Sequence, residues 1–174
     1  MNKTKKLTYS GIFIALGVVI PYIFHILGGP ALGSVLLPMH IPVLLCGFIC
    51  GKKHGFIVGL ITPVLSYLVT GFTMPPMPIV IYMIFELSAY GFFAGLIYEK
   101  TGKKVLLALL GSMVIGRIVK GAVTFLMTVP FGNAFIFKGF MTSTFVVGIW
   151  GILIQLLLIP VVIKMYEKLT LNHQ

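Results

Sequence analysis

The chain has 174 residues, of which 59% are hydrophobic and 9% charged, and its mean hydropathy is +1.11. This composition is far more apolar than that of a soluble globular domain, and it leaves no room for a sizeable soluble domain beside the apolar segments. The net charge of +10 does not indicate nucleic-acid binding, because the basic residues form short clusters between apolar segments. We therefore expect an all-α membrane protein with one integral membrane domain over residues 1–174.

Six transmembrane helices are predicted along the chain. The first apolar segment resembles a signal peptide, but its run of about twenty residues is too long for one and further apolar segments follow, so we interpret it as an uncleaved span. The second span is short, so we expect it to be tilted, extended by its preceding loop, or sheltered by neighbouring helices. The predicted spans cover about 7–27, 38–50, 55–71, 78–98, 105–128 and 143–166.

The basic residues predict the orientation of these spans. Most of the 13 lysines and arginines fall at the N-terminus, in alternate connections and after the last span, and the opposite connections hold only Lys138. By the positive-inside rule, both termini then lie in the cytoplasm. The external connections are long and rich in Gly, Pro and aromatic residues, so we expect them either to fold over a site as lids or to lie in the membrane interface.

Two basic residues, Arg117 and Lys120, lie inside the fifth span. A charge at that depth costs about 3 kcal/mol on insertion scales, so both should face the bundle interior or water. Their spacing places them on one helix face, and Glu86 in the fourth span lies at a depth comparable to that of Arg117. One carboxylate beside two cations favours an anionic solute as the missing partner. Alternatively, Glu86 is only a structural ion-pair partner.

Other polar groups are candidates for the same site. Tyr82 and Tyr90 flank Glu86 one turn away on either side, and His40 near the start of the second span is either a ligand contact or a polar group at the interface. Gln155 in the sixth span is expected to form a helix–helix hydrogen bond. Further polar residues at the external ends are His25, Tyr67, Thr70, Asn133 and Lys138.

No motif indicates an enzyme or a cofactor. The chain lacks the GxxxxGK[ST] loop that binds ATP phosphates, and it has three acidic residues, of which Glu99 and Glu167 are predicted at cytoplasmic ends. Cys46 and Cys50 share one apolar segment without a histidine pair, which favours packing over metal binding. We expect no cofactor and no metal site.

Small residues in the first span carry a resemblance to a known family. The segment Ser10–Gly17 is similar to the AxxxA element of the substrate-binding S components of energy-coupling factor (ECF) vitamin transporters, with Gly11 in place of the first alanine and Ala15 as the second. The segments Leu37–Gly51 and Ile61–Pro78 are similar to the S components assigned to pantothenate or another small vitamin. Those proteins have six spans, about this length, and both termini inside.

The resemblance implies a function and partners. An S component is the high-affinity subunit of an ECF-type ABC importer: it captures a vitamin from outside, docks through the AxxxA element on a transmembrane coupling subunit, and reorients in the bilayer. Two cytoplasmic ATPases supply ATP hydrolysis, so the chain itself is not an enzyme. We expect Arg117, Lys120 and Glu86, with His40 and Tyr82, to bind pantothenate.

Several alternatives remain open from sequence alone. Pyridoxine, hydroxymethyl-pyrimidine or niacin could replace pantothenate as the substrate. Outside this family, a membrane scaffold or cell-shape protein would need no buried cationic pair, and a small-solute channel would use the pair as an anion filter.

Overall fold

The computed structural model describes residues 2–73, 75–128, 142 and 147–171, except for the side chains of 30–34 and 170–171. These ranges form helices joined by short connections and contain no strand, as the all-α prediction requires. The start of the predicted sixth span, at Ser143, lies outside them. The helices are α1 (Lys3–Leu36), α2 (His40–Cys50), α3 (Lys52–Val69), α4 (Ile79–Lys100), α5 (Val105–Thr128) and α6 (Ile149–Leu171).

Four of these helices are long and apolar enough to cross a membrane: α1 as far as Gly29, α4, α5 and α6. Helix α2 is apolar but has only 11 residues, and α3 has 18 residues and begins with Lys52 and Lys53. Helix α1 continues beyond its predicted end, although its backbone is non-helical at Gly29, with φ 69° and ψ −171°. Glycine adopts this left-handed φ at little cost, so the chain turns there and then resumes a helical path.

The short helix α2 lies at the centre of the bundle. Eight of its residues are buried, and it contacts α1, α3, α4 and α6. This burial agrees with the expectation that neighbouring helices shelter so short a helix. Cys46 and Cys50 are buried free thiols on this helix, and the Cys46 Sγ lies 3.8 Å from the Ser10 Oγ of α1. Both cysteines therefore act as packing residues.

Glycines bring α2, α3 and α4 into backbone contact. A Cβ atom on Gly91 of α4 would overlap the backbone of Gly55 on α3, and one on Gly47 of α2 would overlap the carbonyl oxygen of Gly91. Gly59 and Gly95 are closed in by backbone in the same way. These five glycines are therefore internal to the bundle, where the missing side chains let the three helix backbones approach closely.

Polar contacts join several helices at one end of the bundle. Lys52 Nζ lies 2.9 Å from Glu99 Oε2, which ties the α2–α3 turn to the end of α4. Tyr98 of α4 donates a hydrogen bond to Glu167 of α6, and the side chain of Lys6 lies beside the same α2–α3 turn. These contacts therefore bring together segments that the charge pattern predicts to lie on the cytoplasmic side.

We expect Gly91→Ala to lower the free energy of unfolding by about 1–3 kcal/mol, because the added methyl group must push apart two backbones. Thermal unfolding of the purified protein in detergent measures the change. The matched control is Gly11→Ala, since a Cβ at Gly11 meets no atom within 4 Å. Equal loss of stability in the two variants would contradict the close-packing account.

Candidate functional site

Five polar side chains from three helices converge inside the bundle. They are His40 at the start of α2, Glu86 and Tyr90 on α4, and Arg117 and Lys120 on α5. We call this group the polar cluster. It lies away from the Lys52–Glu99 end of the bundle, because α4 and α5 run in opposite directions and each contributes residues from its part distant from that end.

The spacing of these residues explains why they meet. Glu86 and Tyr90 are one turn apart on α4, and Arg117 and Lys120 are one turn apart on the facing side of α5. Gly116 sets the register between the two helices, because a Cβ there would overlap the ring of Tyr90. The absence of a side chain at Gly116 lets the tyrosine ring lie against α5.

The carboxylate of Glu86 is the centre of the cluster. Its Oε2 lies 3.1 Å from Lys120 Nζ, and its Oε1 accepts a hydrogen bond of 3.3 Å from the Tyr90 hydroxyl. His40 Nε2 lies 3.8 Å from the same Oε1. The side chain of Glu86 is only 2% exposed, so these protein groups replace the water that would otherwise solvate the carboxylate.

Tyr90 connects the carboxylate to the second cation. Arg117 Nη1 donates a hydrogen bond of 3.4 Å to the Tyr90 hydroxyl oxygen, which itself donates to Glu86. Arg117 is buried, at 6% exposure. The Tyr90 hydroxyl therefore bridges one buried acid and one buried base.

His40 has hydrogen-bonding capacity that the described part of the chain does not use. The residue is 2% exposed, and its ring packs at a tilt against Tyr90 with the ring centres 5.2 Å apart. Among the residues that the structure describes, neither ring nitrogen has a hydrogen-bond partner. Buried polar atoms without partners are rare in folded proteins, which makes this imidazole notable.

The cluster carries one net positive charge with His40 neutral. The whole chain has three acidic side chains. Two of them have partners at the opposite end of the bundle: Glu99 contacts Lys52, and Glu167 accepts a hydrogen bond from Tyr98. Glu86 is thus the one carboxylate side chain near Arg117 and Lys120. Within the described ranges, no group of three or more His, Cys, Asp or Glu residues could hold a metal ion.

The structure brings together four of the five residues predicted to bind substrate. Tyr82 is half-buried and makes none of the cluster contacts described above. The side chain of Lys120 is 24% exposed, whereas Arg117 is buried, so the two cations of α5 differ in their access to the surface. Tyr90 was named only as a neighbour of Glu86, yet its hydroxyl links Glu86 to Arg117. The signal that could have selected it was its i+4 spacing from the acid. Asn133 and Lys138 lie outside the described residues.

The predicted docking residues of α1 lie on the protein surface. Gly11 and Ala15 are both exposed, and Leu7, Ile12 and Leu16 around them are exposed apolar residues. Gln155 of α6 is buried, but its Nε2 has no hydrogen-bond partner among the described residues, so the predicted helix–helix bond is not seen for that atom.

Comparison with protein families identifies the class of protein. A family model described as "ECF transporter, substrate-specific component" matches residues 5–163, which is most of the chain. The chain belongs to this family of S components. Comparisons with curated proteins and with solved structures gave no match.

Membership of the S components gives the polar cluster its context. An S component is a membrane protein that binds a small-molecule substrate and works with an ECF module, and it is not itself an enzyme. The apolar helices described above agree with a membrane location. The scaffold and channel alternatives are therefore set aside in favour of a transport component.

A double-mutant cycle on Glu86→Gln and Lys120→Met should give a coupling energy of about 1–3 kcal/mol, since removing either charge leaves the other poorly compensated in an apolar interior. Chemical unfolding of the four proteins in detergent micelles measures it. The control cycle uses Lys52→Ala and Glu99→Ala. That pair is exposed and should couple by less than about 1 kcal/mol. Equal coupling in both cycles would show that the Glu86–Lys120 contact is effectively solvated.

Proposed function

We propose that this S component binds a small vitamin carrying a carboxylate, with pantothenate as the best candidate, at the polar cluster in the outer half of the bundle. The chain crosses the membrane six times with both termini in the cytoplasm, although α2 with its 11 residues is too short to span a bilayer alone. The loaded protein reorients on a transmembrane coupling subunit driven by two cytoplasmic ATPases and releases the vitamin inward.

The observation that supports this proposal is the excess positive charge of the cluster. Arg117 and Lys120 share one carboxylate, Glu86, inside an apolar bundle. Excess charge in such surroundings is costly, and a bound anion would remove that cost. An anionic substrate therefore gains more from this site than a neutral molecule of the same shape.

Recognition of the carboxylate involves an exchange of partners. Lys120 is the more exposed of the two cations and is held by Glu86 Oε2. A substrate carboxylate placed beside Lys120 and Arg117 competes with Glu86 for Lys120, while Tyr90 continues to hold Glu86 through Oε1. Glu86 thus acts as an internal counter-ion that fixes the lysine until the substrate arrives.

The uncharged groups of pantothenate have their own partners in this proposal. The unused ring nitrogens of His40 would bond a hydroxyl or amide of the substrate, and Tyr82 would contribute a second hydroxyl. Pyridoxine and hydroxymethyl-pyrimidine lack a carboxylate and would leave the excess charge uncompensated. Niacin has the carboxylate but no hydroxyl groups, so it would not use His40 in this way.

The coupling subunit would dock on the surface around Gly11 and Ala15. Small residues permit close approach of a partner helix, and a Cβ at Gly11 would meet no atom of this chain. Because the proposed vitamin site uses α2, α4 and α5 rather than α1, docking and vitamin binding should respond separately to mutation.

Pantothenate should stabilise the purified protein saturably against thermal unfolding, and Arg117→Gln should weaken its binding by about tenfold or more, because a charge-assisted hydrogen bond is lost. Panthenol, which has an alcohol in place of the carboxylate, should bind wild type as weakly as pantothenate binds the variant. Lys104→Ala, which removes an exposed positive charge outside the cluster, is the matched control and should bind normally.

The other outcomes of this titration are also decisive. Equal affinity for panthenol and pantothenate would overturn the role given to the carboxylate. Binding of niacin instead of pantothenate would keep that role and replace the vitamin. Absence of binding across pantothenate, niacin, pyridoxine and hydroxymethyl-pyrimidine would overturn the proposed substrate class.

We expect Ala15→Leu to reduce co-purification with the coupling subunit and ATPases several-fold while leaving pantothenate-induced stabilisation unchanged. The larger side chain would separate the two helix surfaces. The control is Ala122→Leu, an equal change at an exposed position of α5. Equal loss of the complex in both variants would refute docking through the Gly11–Ala15 surface.

A further inference from the structure

A groove of about 700 Å³ runs along the outside of the bundle where α3, α4 and α5 meet. Its walls include Phe56 and Leu60 of α3, Phe85 and Phe92 of α4 and Val119 of α5. We call it the α3–α5 groove. Glu86 and Tyr90 of the polar cluster are buried on the inner side of α4 and do not line it, so the groove is separate from the proposed vitamin site.

One end of the groove is basic and the rest is apolar. Lys53, in the first turn of α3, is the only charged residue that lines it within the described part of the chain. Ser88 also lines the groove, but its hydroxyl already donates to the Ile84 carbonyl at 2.6 Å. The groove therefore offers a ligand one positive charge followed by a hydrocarbon surface.

Lys53 is available to such a ligand. Its neighbour Lys52 is held by Glu99, whereas no ion pair or hydrogen bond of the Lys53 side chain occurs among the described residues. Lys53 is exposed and lies at the same end of the bundle as Lys52 and Lys6. An anionic headgroup placed at this end of the groove would therefore contact Lys53.

The form of the groove favours a flexible chain over a partner helix. Helix–helix contacts in membranes rely on small residues that bring backbones together, as in the glycine contacts between α3 and α4. The rims of the α3–α5 groove instead present bulky side chains, with Phe56 and Phe92 packed edge to face at 6.3 Å between ring centres. An acyl chain can follow such an uneven surface, whereas a partner helix would lack the small residues that permit close backbone contact.

We propose that the α3–α5 groove binds an anionic phospholipid, with its headgroup phosphate at Lys53 and one acyl chain along Phe56, Leu60 and Phe92. Basic residues at the membrane surface attract anionic headgroups, and the apolar groove supplies the contact that makes the attraction specific to one place on the protein. This site is independent of the vitamin and of the proposed substrate class.

Native mass spectrometry of the detergent-purified protein tests the site. With equal amounts of dioleoyl-phosphatidylglycerol and dioleoyl-phosphatidylcholine, wild type should retain the anionic lipid about fivefold more. Lys53→Ala should bring the two lipids close to equal retention, while the control Lys104→Ala, an exposed lysine outside the groove, should leave the preference unchanged. Leu60→Trp, which fills the groove, should reduce retention of both lipids.

Three results would overturn the proposal. The first is equal retention of the two lipids by wild type, and the second is the same loss of preference in Lys53→Ala and Lys104→Ala. The third would show that the groove binds a protein: in Leu60→Cys, a membrane-soluble maleimide would label the new thiol in the isolated protein but not when the coupling subunit is bound. Cys46 and Cys50 are buried, so the introduced thiol is the reactive one.

Discussion

The hydroxyl of Tyr90 connects the charged groups in the polar interior of this S component. That oxygen accepts from Arg117 and donates to Glu86, and Glu86 in turn holds Lys120. Charged groups survive in an apolar bundle only when such contacts replace water. The position of the hydroxyl depends on backbone packing, because the ring lies against Gly116, where no side chain stands in the way. The geometry of the site therefore depends on the packing of α4 against α5.

The other helices of the bundle hold α2, which contributes His40 to the site. Helix α2 lies among α1, α3, α4 and α6, and this burial holds His40 against the ring of Tyr90. Two hydrophobic clusters share α2 and α4: one continues to α5 and α6, and the other to α1 and α3. A helix too short to span the bilayer alone is useful here, because its first residue reaches the depth of the cluster while its end joins α3 at the basic end.

Much of this architecture follows from the sequence. The apolar run after Lys104 gave both ends of α5, and helical spacing placed Arg117 and Lys120 on one face. The continuation of α1 past Gly29 was missed because a Gly-Pro pair normally ends a helix, and only the left-handed backbone at Gly29 allows the chain to resume. Comparable depth placed Glu86 near Arg117 and Lys120 but did not decide which cation it contacts. The direct partner is Lys120, and Arg117 is reached through Tyr90, because the register of α4 and α5 is set by contacts between helices that spacing within one helix cannot reveal.

The glycine contacts among α2, α3 and α4 restrict how this molecule can move. Where two backbones touch, one helix cannot slide or rotate past the other without a clash, so these three helices form a single rigid block. Any internal opening must then occur where α1, α5 or α6 meets that block. A vitamin bound at the proposed site would contact both α4 and α5, and it would therefore oppose the separation of α5 from this block.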